Sequence, residues 1–285
     1  MKGIILSGGT GTRLDPLTIS YSKQLIPVYD KPLIYYPLST LINLNIKEIL
    51  IIVNRNQITN FKNLLGNGKD LGLKINYSIQ NKPNGIAESF IIAEKFIKND
   101  SVALILGDNI FYGQDLLHDI NKFDINNSGI IFLYQVNNPS HYGVANIKKD
   151  KINKIIEKPK KIISNYAVTG LYIYDNSVIE KSKKLKPSKR GELEITDINN
   201  IYLKEKNLNY VKLNNSSVWF DAGTPSSLLS ASQYIQAIQN RNNLLISSPE
   251  EISFRKKLIS YNKLKKLLFK KPKNQYYNFL RNIKK

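Results

Sequence analysis

At 285 residues with 42% hydrophobic content, the chain is long enough to bury a sizeable core, and its composition argues against disorder. It has no cysteine, which excludes disulfides, thiolate metal sites and cysteine nucleophiles. The formal net charge of +20 invites a polyanionic partner, yet lysines are spread over most of the chain, with no zinc-finger spacing and no RNP-like aromatic motif, so no specific nucleic-acid partner is expected.

Along the first half, short β-rich apolar runs alternate with helical segments. Strands are predicted at residues 3–6, 48–53, 75–79, 102–106 and 130–134, and helices at 32–44 and 86–97. In the second helix Ile86, Phe90, Ala93 and Ile97 recur at helical spacing. Further strands follow at 144–147, 152–156 and 170–174, then helices at 176–184 and 195–205. From Pro225 the pattern is helical: 226–241, 249–259 and 261–269, with Pro272 ahead of a last helical piece. The rhythm predicts an α/β, Rossmann-like fold, with a mostly parallel central sheet flanked by helices. The division expected is a main domain over 1–240 and a basic, amphipathic helical appendage over 241–285. The run Ile4-Ile5-Leu6 is too short for a signal peptide, and no apolar run approaches the roughly 18 residues of a membrane span, so a cytoplasmic protein with no membrane partner is expected.

Gly8-Gly9-Thr10-Gly11-Thr12-Arg13-Leu14 follows the first apolar strand. A glycine-rich loop there can bring backbone N–H groups against phosphate oxygens. It is not a Walker loop, which would end in Gly-Lys-Ser/Thr, and it is not a dinucleotide fingerprint, because Leu14 stands where a third glycine is needed. An arginine closes the loop, and the stretch Ser22-Lys23-Gln24 supplies a second cation. The loop at Gly8, Gln80 and Asp108 each follow a predicted strand and can gather at one sheet edge.

Two aspartates share one plan: Asp108 in Leu106-Gly107-Asp108-Asn109, and Asp221 in Trp219-Phe220-Asp221-Ala222-Gly223. Near a phosphate loop such a pair suits Mg²⁺, which takes oxygen ligands and keeps part of its shell for substrate phosphates. In Glu157-Lys158-Pro159 the turn can aim an acceptor for sugar hydroxyls and a cation for a phosphate at one ligand. His118 and His141 fit neither a metal nor a triad pattern, and no G-x-S-x-G elbow is present. Nucleophilic catalysis by the protein is therefore poorly supported.

These motifs together resemble the sugar-phosphate nucleotidylyltransferases, most closely the bacterial glucose-1-phosphate thymidylyltransferase branch. The resemblance runs through Lys31-Pro32-Leu33-Ile34-Tyr35-Tyr36-Pro37, Ser164-Asn165-Tyr166-Ala167-Val168-Thr169-Gly170, Arg190-Gly191-Glu192-Leu193-Glu194-Ile195-Thr196-Asp197 and Pro249-Glu250-Glu251-Ile252. It implies Mg²⁺-dependent transfer of a thymidylyl group from dTTP to glucose 1-phosphate, giving dTDP-glucose and diphosphate for deoxysugar and dTDP-rhamnose synthesis, usually in a homotetramer. The near alternative is a UTP- or CTP-using relative; a basic nucleic-acid-binding protein is the alternative from another class. The resemblance implies catalytic roles for Arg13, Lys23 and Lys158, and nucleotide contacts from Gly8, Gly11, Thr12, Gln24 and Asp108, with Gln80 and the Gly85 backbone on the thymine. It places Asn109, Tyr142, Gly143, Glu157, Lys158, Val168 and Arg190 around the sugar and its phosphate, and the metal on Asp108 and Asp221. Tyr112, Gly113, Glu251 and Arg255 match a regulatory site away from the centre. The chain departs from the pattern at Ser7 (usually alanine), Glu88 (usually glutamine), Asn146 (commonly glutamate) and Ala222 (threonine).

Overall fold

The computed structural model describes residues 1–113 and 115–284. The chain runs β1 (Lys2–Ser7), β2 (Pro27–Val28), β3 (Lys31–Pro32), α1 (Tyr35–Asn43), β4 (Glu48–Val53), α2 (Ile58–Leu65) and β5 (Lys74–Ile79). Then come α3 (Glu88–Ile92), α4 (Glu94–Ile97), β6 (Val102–Leu106), β7 (Asn109–Tyr112), α5 (Leu116–Ile120), β8 (Gly129–Gln135), β9 (Gly143–Lys148) and β10 (Lys151–Glu157). The remainder is β11 (Tyr166–Tyr174), α6 (Val178–Lys183), α7 (Ile195–Lys204), β12 (Leu208–Lys212), β13 (Val218–Asp221), α8 (Pro225–Asn242), α9 (Pro249–Arg255), α10 (Tyr261–Phe269) and α11 (Gln275–Arg281).

One large sheet organises the fold, in the order β10-β9-β11-β6-β1-β4-β5, with β8 pairing β11 and β12 pairing β8. On one side of β11, strands β6, β1, β4 and β5 are all parallel. β11 itself runs antiparallel to β6, β8 and β9. The sheet is therefore mixed: its Rossmann-like half is parallel as expected, and in the other half β11 and β10 run against that direction while β8, β9 and β12 run with it.

Strand alternation explains why both faces are covered. Ile5, Ile49, Ile51, Ala103 and Ile105 project into one buried cluster with Leu38, Leu41 and Ile42 of α1 and Phe61 of α2. Their neighbours Ile4, Leu50, Ile52, Val102 and Leu104 project into the opposite cluster with Phe90, Ile97, Ile179, Ile198 and Tyr202. A run of consecutive Ile and Leu, apolar at every position, is what a two-sided core requires. Each such side chain contributes roughly 1.5–3 kcal/mol when fully buried.

Several boundaries moved. The helix predicted at 32–44 starts at Tyr35, because Lys31 and Pro32 pair with Val28 and Pro27 and the amides of Leu33 and Ile34 donate to Ile26 and Gln24. The helix predicted at 86–97 breaks at Ala93 (φ −89°, ψ 2°) into two short pieces. The strand predicted at 170–174 begins at Tyr166. Missed altogether were α2, α5, β12 and the antiparallel pair β7–β13.

At the C-terminal end, α8 lays Leu228, Ala231 and Ile235 on Val28, Tyr36 and Ile110. The last helices gather Ile259, Leu264, Leu268, Tyr276 and Leu280 into a cluster of their own. No helix of the described residues is long and apolar enough to cross a membrane.

Candidate active site

The carboxyl ends of the parallel strands meet where the glycine loop leaves β1. Gly8 lies directly against Gln80, which follows β5: a Cβ on Gly8 would sit 2.2 Å from Gln80 Oε1. Only a residue without a side chain permits that approach. Gly11 (φ +70°) turns the loop over Thr18, whose hydroxyl donates to the Gly11 carbonyl at 2.9 Å, and sits close to the Lys23 stem. Thr12 and Arg13 follow in an exposed 3-10 turn.

Lys23 reaches from a second 3-10 turn to form an ion pair with Asp108, just past β6. Their side chains are only 11% and 13% exposed. The other Asp108 oxygen accepts from Asn109 Nδ2 at 3.1 Å. Burial pushes the Asp108 carboxyl upward, but the Lys23 ammonium and these hydrogen bonds outweigh it and hold it below the usual carboxylate range.

Asp221 arrives through the ladder that sequence patterning missed. In the β7–β13 register Asp221 stands opposite Asn109, and the next amide, of Ala222, donates to the Asp108 carbonyl at 3.0 Å. Two aspartates distant in sequence thus flank one point. Burial first, and the Asp108 charge second, push the Asp221 carboxyl up to about 6, against the pull of Lys23, Arg13 and Lys158. A Cβ on Gly223 would lie 2.7 Å from Arg13 Nη2 and 2.9 Å from Asp221 Oδ1, so the guanidinium and this carboxylate border the same small space. The signal for the ladder was present in the aromatic runs Ile110-Phe111-Tyr112 and Val218-Trp219-Phe220.

Asn109 is buried and acts as a hub: its Oδ1 accepts from Trp219 Nε1 at 2.6 Å and from the Gly170 amide at 3.1 Å. Gln24 is buried too, packed under Gly107, with its Oε1 accepting from Ser22 at 2.6 Å. Both hold the framework of the corner in place.

The expected sugar residues form a second group along β9–β11. A Cβ on Gly143 would fall 3.0 Å from Thr196 Oγ1, 3.3 Å from Glu157 Oε2 and 3.9 Å from Val168 Cβ, which places all four together. Thr196 donates to Glu157 Oε2 at 2.6 Å, and Arg190 Nη2 lies 3.7 Å from Glu157 Oε1. Arg190 is also bound by Glu192 at 3.0 Å and Glu194 at 2.8 Å, so it orients Glu157 from within an acidic cluster. Lys158 is exposed, with φ +41°, and its amide donates to the Tyr142 carbonyl at 3.0 Å. Tyr142 packs edge-on against Trp219, ring centroids 5.1 Å apart, and thereby joins the two groups. Sequence reasoning missed Thr196 and Trp219.

The Ser7 hydroxyl is buried with no hydrogen-bond partner among the described residues. Asn146 donates to the Ile163 carbonyl at 2.9 Å. Ala222 is buried beneath α8. Glu88 accepts from Gln80 and Asn84. Both histidines are exposed.

Tyr112, Gly113, Glu251 and Arg255 line one cavity of about 660 Å³ together with Phe111, remote in sequence from the glycine loop. Glu251 and Arg255, one turn apart on α9, pair with each other at 2.7 Å.

No group of three or more metal-ligating side chains occurs among the described residues. Two carboxylates alone suit a cation that completes its shell with water and substrate phosphates, which is the habit of Mg²⁺. Burial and the neighbouring Asp108 charge both favour the neutral form of Asp221, and a divalent cation held between the two carboxylates would offset both, so these residues fit that ion.

A glycine loop at strand ends, cations over it and two aspartates beside it define a protein that handles phosphoanhydrides, and the chain belongs to the nucleotidyl transferase family, whose model matches residues 2–238. Among its relatives, the glucose-1-phosphate thymidylyltransferase of Neisseria meningitidis serogroup A is 48% identical over 98% of both chains. That of Mycolicibacterium smegmatis is 51% identical over 90% of this chain and 89% of its own length. A solved Bacillus anthracis protein assigned as a glucose-1-phosphate thymidylyltransferase, in complex with sucrose, is 44% identical with a TM-score of 0.78, covering 82% of this chain and 94% of its own. The resemblance read from the sequence is borne out.

Proposed function

We propose that this chain transfers the thymidylyl group of dTTP to glucose 1-phosphate, giving dTDP-glucose and diphosphate. The observation that carries the reading is the buried Lys23–Asp108 pair set beside Asp221 and Arg13 at the exit of the glycine loop. It fixes the Lys23 and Arg13 cations, with two carboxylates that a metal ion would bridge to the phosphates, where the nucleotide meets backbone amides.

A phosphate oxygen of glucose 1-phosphate attacks the α-phosphorus of dTTP, and the bond from that phosphorus to the oxygen of the β-phosphate breaks in line. The attacking phosphate loses its second proton near pH 6, so it is mostly dianionic at neutral pH and needs no general base. The barrier is the approach of one anion to another, and it is met by positioning and charge. Gly8, Gly11 and Thr12 present the loop backbone to the nucleotide. Arg13 and Lys23 hold its phosphates, and Lys158 holds the incoming sugar phosphate. Glu157, oriented by Thr196 and Arg190, accepts sugar hydroxyls, with Tyr142, Gly143 and Val168 forming the wall. Gln80 and Gly85 face the base. Mg²⁺, when bound by Asp108 and Asp221, neutralises charge on the phosphates.

The same reading carries the homotetramer, the cytoplasmic location, the division at 240/241 and a regulatory role for the cavity of Tyr112, Gly113, Glu251 and Arg255. The primary test is diphosphate release with Mg²⁺ across dTTP, UTP and dCTP and a set of sugar 1-phosphates. Release with dTTP and glucose 1-phosphate is expected. Release with UTP alone rejects the thymidylyl assignment, and no release with any pair rejects the enzyme. Light scattering tests the tetramer.

A further inference from the structure

The corner Asn84-Gly85-Ile86-Ala87-Glu88 carries one charge, that of Glu88, and it faces Gln80. Gln80 Nε2 donates to Glu88 Oε2 at 2.7 Å, and Asn84 Nδ2 donates to Glu88 Oε1 at 2.8 Å. A carboxylate only accepts, so whichever end of the Gln80 amide faces it must be the NH₂ group. The Gly85 carbonyl, 3.5 Å from the same nitrogen, is a second acceptor on that side. The amide oxygen is consequently turned the other way, towards Gly8 and the nucleotide loop, and none of the described residues donates to it. Gln80 is only 3% exposed, so its side chain has little room to swing.

The corner itself is braced. The Leu193 amide donates to the Asn84 carbonyl at 2.7 Å, and the Ala87 amide donates to the Leu193 carbonyl at 3.2 Å. Gly85 has φ +108°, and a Cβ there would come within 2.4 Å of Leu193 O. Both the strain-free turn and the contact require glycine. Glu88 therefore meets Gln80 from a fixed position.

We propose that Glu88 is a specificity-determining positioning residue, which locks the Gln80 amide so that the cleft offers a hydrogen-bond acceptor to the base. An acceptor there suits the N3–H of thymine or uracil and opposes the N3 lone pair of cytosine. The proposal rests on the reading above, in which Gln80 faces the base. In the wild-type protein a flipped amide would set its carbonyl against the carboxylate, which holds the flipped state to about a tenth of the population or less. Glutamine at position 88 offers both a donor and an acceptor, so either orientation of Gln80 is then satisfied.

The test is Glu88→Gln, with Glu88→Ala as a second variant should the first fail to fold, assayed by diphosphate release with dTTP, UTP and dCTP. Expected for E88Q is a rise of about tenfold in kcat/KM for dCTP. For dTTP and UTP, kcat/KM falls no more than about threefold, through KM, with kcat held within about twofold. E88A is expected to shift the dTTP-to-dCTP ratio in the same direction. A purely structural role would lower all three substrates together. An unchanged ratio in a folded variant, against a wild type that prefers dTTP, overturns the lock alone. A wild type that turns over no pyrimidine nucleotide overturns the reading on which the lock rests, and the lock with it.

Discussion

The two charged corners of the cleft are built on opposite plans. Around Asp108 the charges are few and the central pair, Lys23 on Asp108, is buried, with Arg13 reaching the edge of Asp221 from an exposed turn. Around Glu157 they are many and partly exposed, with Arg190, 38% exposed, shared among Glu157, Glu192 and Glu194. A charge removed from a dry, preorganised corner takes with it an interaction that water cannot replace. A charge removed from a wet cluster is compensated by its neighbours and by solvent. The first corner is thus suited to the bond-making step, and the second to holding a hydroxylated substrate in place.

That contrast can be broken most directly at its buried end. Lys23→Ala and Asp108→Ala should each lower turnover by about a hundredfold or more, measured as diphosphate release at saturating substrates. Near-normal turnover in either variant would remove that residue from the reaction. Gly223→Ala comes next. Its Cβ would crowd Arg13 Nη2 and Asp221 Oδ1, and the long arginine can move aside, so the fold is spared while the guanidinium is displaced. We expect turnover to fall about tenfold or more, with an unchanged melting temperature. A melting temperature that drops in step with activity would count against this account.

Effects at the wetter corner should be smaller and fall on KM. Glu157→Gln keeps the shape and loses the charge, so KM for glucose 1-phosphate should rise about tenfold, with kcat little changed. Arg190→Ala should raise the same KM about threefold and less at high salt, because the pairs it makes are partly solvated. If Arg190→Ala instead matched Lys23→Ala in turnover, the two corners would not differ as described.

The parallel half of the fold was legible because its central strands β1, β4 and β6 carry unbroken apolar runs, a pattern that a sheet covered on both faces requires. The predicted limits 48–53 and 102–106 match β4 and β6, since Asn54 and Gly107 close the two runs. Helix 86–97 was misread as one piece because its spacing is helical throughout and neither glycine nor proline marks the break at Ala93. β12 was missed because Leu208–Lys212 alternates weakly and gains strand character only beside β8.

Local chemistry alone therefore determined the phosphate loop, the two aspartates at strand ends and the Glu157-Lys158 turn, since each is written in a few adjacent residues whose types limit what they can bind. Their meeting is a different matter. Asp108 and Asp221 share one point only because β7 and β13 pair in a register that sets Asp221 opposite Asn109. Gln80 presents its oxygen only because Glu88 stands across from its nitrogen. Partners of this kind are chosen by long-range packing, and residue type and spacing do not encode a distance between segments that chain order keeps far apart.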